Sequence, residues 1–261
     1  IPEEVVTEYA EKAEYQKDKK DKETQLEMTK RIHLPLDDFI KINNYCKSKK
    51  IKFLTTTFGL KSTDFISKLK PELFKIPSGE ITNLPYLRKI SSFKKKIILS
   101  TGMSIMSEIE NAIEVINSSG VLNKDITVLH CSTEYPANIK NINLRVMHKI
   151  KEKFNVDVGY SDHTPGIDIP PIAVAMGAKI IEKHFTLDKN LEGPDHKASL
   201  EPKELKKMIS NIRQIEYALG DGIKKPTLEE IKIKNIVRKS IVASNSIKKG
   251  ETFSEKKYYY K

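Results

Sequence analysis

The chain has 261 residues and a formal net charge of +11, enough length for one large α/β domain with a sizeable core and a small appendage. The basic excess is almost all lysine, with arginine only at 31, 88, 145, 213 and 238, and runs such as Lys203-Glu204-Leu205-Lys206-Lys207 lack the interleaved aromatics of a nucleic-acid groove. That argues against a nucleic-acid partner and for a mild field that draws in small phosphate or carboxylate substrates. Cys46 and Cys131 make no disulfide framework, and no signal peptide or long apolar run is present, so the expectation is a soluble, cytoplasmic chain with no membrane partner. The opening Ile1 reads as a fragment or a processed start.

In chain order, residues 1–30 are polar, and Lys17 to Lys22 is all Lys and Asp, which predicts an exposed loop before a helical turn at Thr24 to Met28. Strands and helices then alternate. Helix Leu36–Ser48 precedes strand Ile51–Thr56, helix Ser62–Leu69 strand Leu73–Ile76, and helix Leu84–Ser91 strand Lys96–Ser100. Helix Ser104–Ser119 carries Ile105, Ile109, Ile113 and Ile116 on one face and stops at Gly120. Strand Ile126–His130, helix Leu144–Phe154, strand Val156–Val158, the short helix Ile172–Gly177, strand Ala178–Ile181 and helix Lys203–Leu219 complete the series. Six strands, each followed by a helix, predict a parallel sheet with helices outside, and the lack of a Gly-x-Gly-x-x-Gly turn after the first strand favours a barrel over a dinucleotide fold. Two barrel strands would be missing, at the N-terminus. Residues 1–221 read as the barrel domain, 222–234 as a linker and 235–261 as the start of a small β module.

Chemistry gathers at the strand ends, where parallel α/β proteins bind ligands. His163 and His184 each follow a strand of one βαβ unit; adjacent parallel strands lie about 4.8 Å apart, so both imidazoles can reach one divalent ion. Lys75-Ile76-Pro77-Ser78-Gly79-Glu80 offers a lysine, a hydroxyl, a glycine that permits close approach and a carboxylate, a set suited to an anion and a hydroxyl. Thr55-Thr56-Thr57, Ser100-Thr101-Gly102 and Cys131-Ser132-Thr133-Glu134-Tyr135 extend the polar rim. Met103 and Met106 read as core, His130 as a satisfied core histidine, the lysines at 94–96 as a solvated loop, and His33, His148 and His196 as weaker metal candidates, His196 in a loop that faces substrate.

Six ordered motifs carry a resemblance. Lys75-Ile76-Pro77-Ser78-Gly79-Glu80, Leu99-Ser100-Thr101-Gly102-Met103, His130-Cys131-Ser132-Thr133-Glu134-Tyr135-Pro136, Tyr160-Ser161-Asp162-His163-Thr164, Glu182-Lys183-His184-Phe185-Thr186 and Gly193-Pro194-Asp195-His196-Lys197-Ala198-Ser199 resemble the sialic acid synthase family. The resemblance implies an α/β fold: a (β/α)8 TIM barrel, here lacking its N-terminal strands, followed by a partial SAF (antifreeze-like) β-clip domain. It implies a phosphoenolpyruvate-dependent transferase that forms a C–C bond, condensing phosphoenolpyruvate with N-acetylmannosamine to give N-acetylneuraminate and phosphate. The alternatives are an N,N′-diacetyllegionaminate synthase acting on 2,4-diacetamido-2,4,6-trideoxymannose, or an inactive fragment or paralogue. A related 3-deoxy-sugar acid synthase is opposed by the Gly-Pro-Asp-His loop and the terminal β module.

By the same resemblance, His163 and His184 hold a divalent ion, Mn2+ before Mg2+ or Co2+. Thr56, Lys75, Ser78, Ser100, Thr133 and Ser161 bind phosphoenolpyruvate, Thr133 standing where many members carry asparagine. Glu80 and Asp195 are catalytic and, with Tyr135, contact the N-acetylated aminohexose. The family also implies a domain-swapped homodimer, a catalytic glutamate and a phosphate-binding lysine on the absent strands, and an arginine beyond Lys261.

Overall fold

The computed structural model describes residues 1–12, 16, 23–193 and 195–261. Lys17 to Lys22, expected as an exposed loop, and Pro194 lie outside the described residues. The chain divides into two compact units, Ile1–Ala218 and Leu219–Lys261.

The first unit opens with α1 (Pro2–Val5) and α2 (Gln25–Ile32). Thr24 caps α2: its hydroxyl accepts from Glu27 N while the Glu27 carboxylate accepts from Thr24 N, so two of the orphan donors at the helix start are satisfied. Then follow α3 (Leu36–Ser48), α4 (Leu60–Lys68), β1 (Leu73–Ile76), α5 (Leu84–Ser91), β2 (Lys96–Ser100), α6 (Met106–Ser118), β3 (Ile126–Cys131), α7 (Val146–Phe154), β4 (Asp157–Asp162), α8 (Ile169–Ala175), β5 (Ile181–Lys183) and α9 (Pro202–Leu219). The helix with the most regular apolar spacing buries three of the four expected face residues: α6 covers Ile109, Ile113 and Ile116 together with Ala112 and ends before Gly120, whose φ of +92° lies in the left-handed region, while Ile105 is its exposed N-cap residue.

All five strands are parallel and lie in sequential order, β1-β2-β3-β4-β5. A doubly wound sheet reverses its order at a switch point; this one does not, and it has the winding of part of a (β/α) barrel. Single parallel bridges extend it on both sides, Thr56 to Lys75 and Phe185 to Leu200. Side chains alternate across the sheet. Phe74, Ile76, Ile97, Leu99, Ile126, Val128, Val158 and Tyr160 face the helices and form the main core with Leu87, Ile90, Ile116, Met147 and Ile150. Burial of each such aliphatic side chain is worth about 1.5–3 kcal/mol. The opposite face carries Lys75, Ser100, Cys131, Ser161 and Glu182, and that alternation aims them at one site.

Three expectations shift. The strand expected at Ile51–Thr56 pairs only at Thr56; Ile51 and Leu54 are exposed, so the apolar burial that would hold a longer strand is missing. The last strand runs Ile181–Lys183 where Ala178–Ile181 was expected, although Lys179 N already donates to Val158 O at 2.7 Å. Leu200, just after the Gly193-to-Ser199 loop, supplies a further pairing position that the sequence pattern hides. In the second unit, α10 (Leu228–Val237) occupies much of the span read as a linker, 222–234, because Thr227 and Glu230 form a capping box that starts a helix there. It is followed by the antiparallel pair β6 (Ile241–Ala243) and β7 (Tyr258–Tyr260).

Gly159 marks the tightest point of the sheet. A Cβ there would lie 2.5 Å from the Ile180 carbonyl oxygen and 2.5 Å from Leu129 Cδ2. A backbone carbonyl cannot rotate away, so Gly159→Ala must push β4 from its neighbours. We expect a loss of about 1–3 kcal/mol, seen as a lower denaturant midpoint in urea unfolding; an unchanged midpoint would show that the sheet yields freely here.

Candidate active site

A cavity of about 640 Å³ opens at the C-terminal ends of the strands. Its wall includes Lys75, Ser78, Ser100, Thr133, Tyr135, Ser161, His163 and His184, which is eight of the expected residues in one place. Lys75 projects from β1 and its side chain is only 6% exposed. Ser78 sits on the turn after β1, where its Oγ accepts from Gly102 N at 2.9 Å. A Cβ at Gly102 would lie 2.5 Å from Thr133 Cγ2, so this glycine lets three strand-end loops meet. Ser100 ends β2; its hydroxyl is buried with no partner in the protein. A buried unpaired hydroxyl on a cavity wall is a donor held for a ligand oxygen.

The histidines emerge from β4 and β5. His163 is buried, and its Nδ1 bonds the Ser132 carbonyl. A carbonyl only accepts, so Nδ1 carries the proton and Nε2 keeps its lone pair. Burial pushes the His163 pKa down, with the Ser132 bond opposing the shift, and so favours the neutral ring that a metal requires. The His163 and His184 ring centroids are 5.3 Å apart. Tyr135 closes the group, 4.2 Å from the His163 ring and 5.7 Å from the His184 ring. Asp195 Oδ2 lies 3.7 Å from His184 Nδ1. Among the described residues no cluster of three or more His, Cys, Asp or Glu side chains converges, so a metal held here would rest on the imidazole pair. One ring tautomer fixed by a backbone carbonyl, both rings on one cavity wall and a carboxylate at the edge fit a divalent ion with open positions.

Three expected residues are not on the cavity wall: Asp195, which stands beside His184, Glu80 and Thr56. Glu80 turns aside to accept from Asn83 Nδ2 at 2.6 Å, and Asn83 in turn caps α5 by accepting from Tyr86 N. Thr56 lines a separate cavity of about 330 Å³ with Val5, Phe39 and Phe58. Met103, read as core, is 73% exposed with φ +64° and lies on the cavity rim; Met106 does pack against the core. His130 bonds the Ile142 carbonyl at 2.7 Å, as a satisfied core histidine should. His196 bonds Thr186 Oγ1 at 2.7 Å rather than presenting both ring nitrogens to a substrate.

The residue missed from sequence is Glu182. It lines the cavity, accepts from Ser161 Oγ at 2.8 Å and places Oε2 3.3 Å from Lys75 Nζ. The Ser161–Glu182 pairing in the β4–β5 register makes this contact possible. An alternation count from His184 would have put Glu182 on the histidines' side of the strand. Cys131 Sγ, 3.4 Å from Ser78 Oγ, is the other unassigned neighbour.

A barrel-type parallel sheet with an ammonium, several hydroxyls, one of them buried and unpaired, and two imidazoles at its C-terminal edge defines an enzyme site for a small anionic substrate. Residues 1–224 match the NeuB family. The chain is 55% identical to the N,N′-diacetyllegionaminic acid synthase of Campylobacter jejuni, over 94% of its own length and 74% of that protein. It is 42% identical to the synthase of the same name from Legionella pneumophila, over 96% and 71%. A solved N-acetylneuraminic acid synthetase from Leptospira borgpetersenii superposes with a TM-score of 0.75 at 34% identity, covering 81% of this chain and 74% of that one. The chain belongs to the NeuB family of sialic acid synthases, phosphoenolpyruvate-dependent transferases that form a C–C bond.

Proposed function

We propose that this enzyme is an N,N′-diacetyllegionaminate synthase, condensing phosphoenolpyruvate with 2,4-diacetamido-2,4,6-trideoxymannose in the cytoplasm. The observation that carries the choice of sugar is the 55% identity, spread over 94% of the chain, to a synthase of that name. The N-acetylneuraminate reading, the first expectation although the motifs fit both branches, gives way to it: the neuraminic acid synthetase structure is 34% identical.

In this reading Lys75 and the hydroxyls of Ser78, Ser100, Thr133 and Ser161 hold the phosphate and carboxylate of phosphoenolpyruvate. His163 and His184 hold a divalent ion, Mn2+ first, which when bound supplies a Lewis acid to the sugar aldehyde. Asp195 and Tyr135 orient the acceptor sugar. The enol carbon of phosphoenolpyruvate forms the new bond to the aldehyde carbon; water then adds to the resulting cationic carbon, and C–O cleavage releases phosphate. Held in place by the strand ends, the two substrates react as if intramolecular. Residues 235–261 we assign as the beginning of an SAF domain, and the protein as a homodimer. Among the described residues no helix is long and apolar enough to cross a membrane.

Phosphate release measured with Mn2+, phosphoenolpyruvate and a panel of acceptors tests the choice of sugar. The diacetamido-trideoxy sugar should exceed N-acetylmannosamine in kcat/KM by about tenfold or more, since a site built to bond a polar substituent rejects an analogue that lacks it. A preference for N-acetylmannosamine would return the assignment to a neuraminate synthase.

A further inference from the structure

Beneath the two histidines lies an ion pair that the reaction does not touch. Lys183 Nζ lies 2.6 Å from Asp162 Oδ2, with the two side chains 3% and 0% exposed. The same ammonium donates to the Thr164 carbonyl. The other Asp162 oxygen, Oδ1, accepts from Thr164 N at 3.0 Å and from Thr164 Oγ1 at 2.8 Å. Asp162 and Lys183 are paired in register across β4 and β5. Each is the residue immediately before one of the cavity histidines, and Thr164 immediately follows His163.

Burial of two charges is costly, and a well-packed apolar pair would often serve stability as well or better. A dry ion pair that also satisfies three backbone and hydroxyl groups is better understood by what it fixes. One ammonium on the neighbouring strand is tied to both residues that flank His163, to the Asp162 carboxylate and to the Thr164 backbone carbonyl. His163 is further pinned where its carbonyl accepts from Ala137 N at 2.8 Å and its ring bonds Ser132 O. His184 is held through its own carbonyl, which accepts from Leu200 N at 2.8 Å. Two side-chain links join the histidine-bearing strand ends: Ser161–Glu182 on the cavity face and Asp162–Lys183 on the opposite, buried face.

We propose that Asp162 and Lys183 are positioning residues that set the spacing and aim of His163 and His184 for a shared divalent ion. This rests on the metal reading above. Outer groups that orient metal-ligating histidines govern affinity by about 10–100-fold when removed.

The test is Mn2+ binding by titration calorimetry, with thermal unfolding measured on the same samples. Wild-type protein should bind Mn2+, and His163→Ala and His184→Ala should each abolish binding; wild-type protein that binds no divalent ion would overturn the metal reading and this proposal together. Lys183→Met strands a buried carboxylate and is expected to lower stability. The double variant Lys183→Met/Asp162→Asn removes both charges while keeping an acceptor for Thr164, and should regain most of that stability. Its Mn2+ affinity should nevertheless stay at least about tenfold below wild type, because nothing then holds the Thr164 carbonyl. Lys183→Arg, which keeps a donor, should bind Mn2+ more tightly than the double variant. If affinity instead returns with stability in the double variant, or never falls in a folded single variant, the pair only holds the fold and the positioning role is lost, while the metal site itself stands.

Discussion

Replacing His163 with alanine is expected to abolish metal-dependent condensation in a protein that still folds. His163 lies beyond the end of β4, its ring donates to a single carbonyl and packs tilted against Tyr135, and it belongs to neither apolar cluster. Loss of the ring leaves His184 as a lone imidazole with Asp195 beside it, too few donors to hold a first-row ion firmly. Lewis-acid stabilisation of the developing charge is worth several kcal/mol; about 4 kcal/mol corresponds to roughly a thousandfold in rate. Stopped-time assays of phosphate release across a Mn2+ titration would measure it. A His163→Ala enzyme that reaches wild-type turnover at raised Mn2+ would show that the ring only tunes affinity, and retention of both rate and affinity would remove the imidazole pair from the mechanism.

Lys75→Ala should act on the other substrate. Lys75 is the lysine among the described residues of the cavity wall that also carries Ser78 and Ser161, and it is nearly buried. A charge-assisted bond to an anion is worth about 1.5–3 kcal/mol. Its removal also leaves Glu182 facing the same space without the ammonium, so repulsion adds to the loss. The apparent KM for phosphoenolpyruvate should rise about 30-fold or more, equivalent to about 2 kcal/mol, while the acceptor KM changes by less than about threefold. Steady-state kinetics with each substrate varied in turn decides the point. A change confined to the acceptor KM would move Lys75 to the sugar side of the cavity.

Much of this was legible in the sequence because the signals were local. The helices Leu36–Ser48 and Leu84–Ser91 were read to the residue, since Pro, Asn83 and the apolar spacing mark their limits. Residues at the C-terminal ends of strands and one step past them were located well, which is why Lys75, Ser100 and Ser161, within β1, β2 and β4, and the two histidines just beyond β4 and β5 line one cavity. What failed depended on long-range pairing. Whether Ile51–Thr56 forms a full strand is decided by its neighbours, and its own apolar residues do not settle it. Glu80 and Glu182 are both carboxylates near strand ends, and motif position favoured Glu80. The structure reverses their roles because Asn83 captures one and the β4–β5 register delivers the other. Met103 shows the same limit: a methionine beside a glycine turn reads as core until a positive φ turns it outward.

The sequential strand order has a kinetic side. Each strand contributes one or two groups to the cavity, so Lys75 and His184 meet only when every strand between them has docked in turn. Parallel neighbours are joined by long crossovers, and such non-local contacts form slowly because loop closure precedes any gain from pairing. Secondary structure can therefore be complete in a population of molecules that cannot yet bind either substrate. For such a chain, catalytic competence reports the last event of folding, and helical content reports an early one.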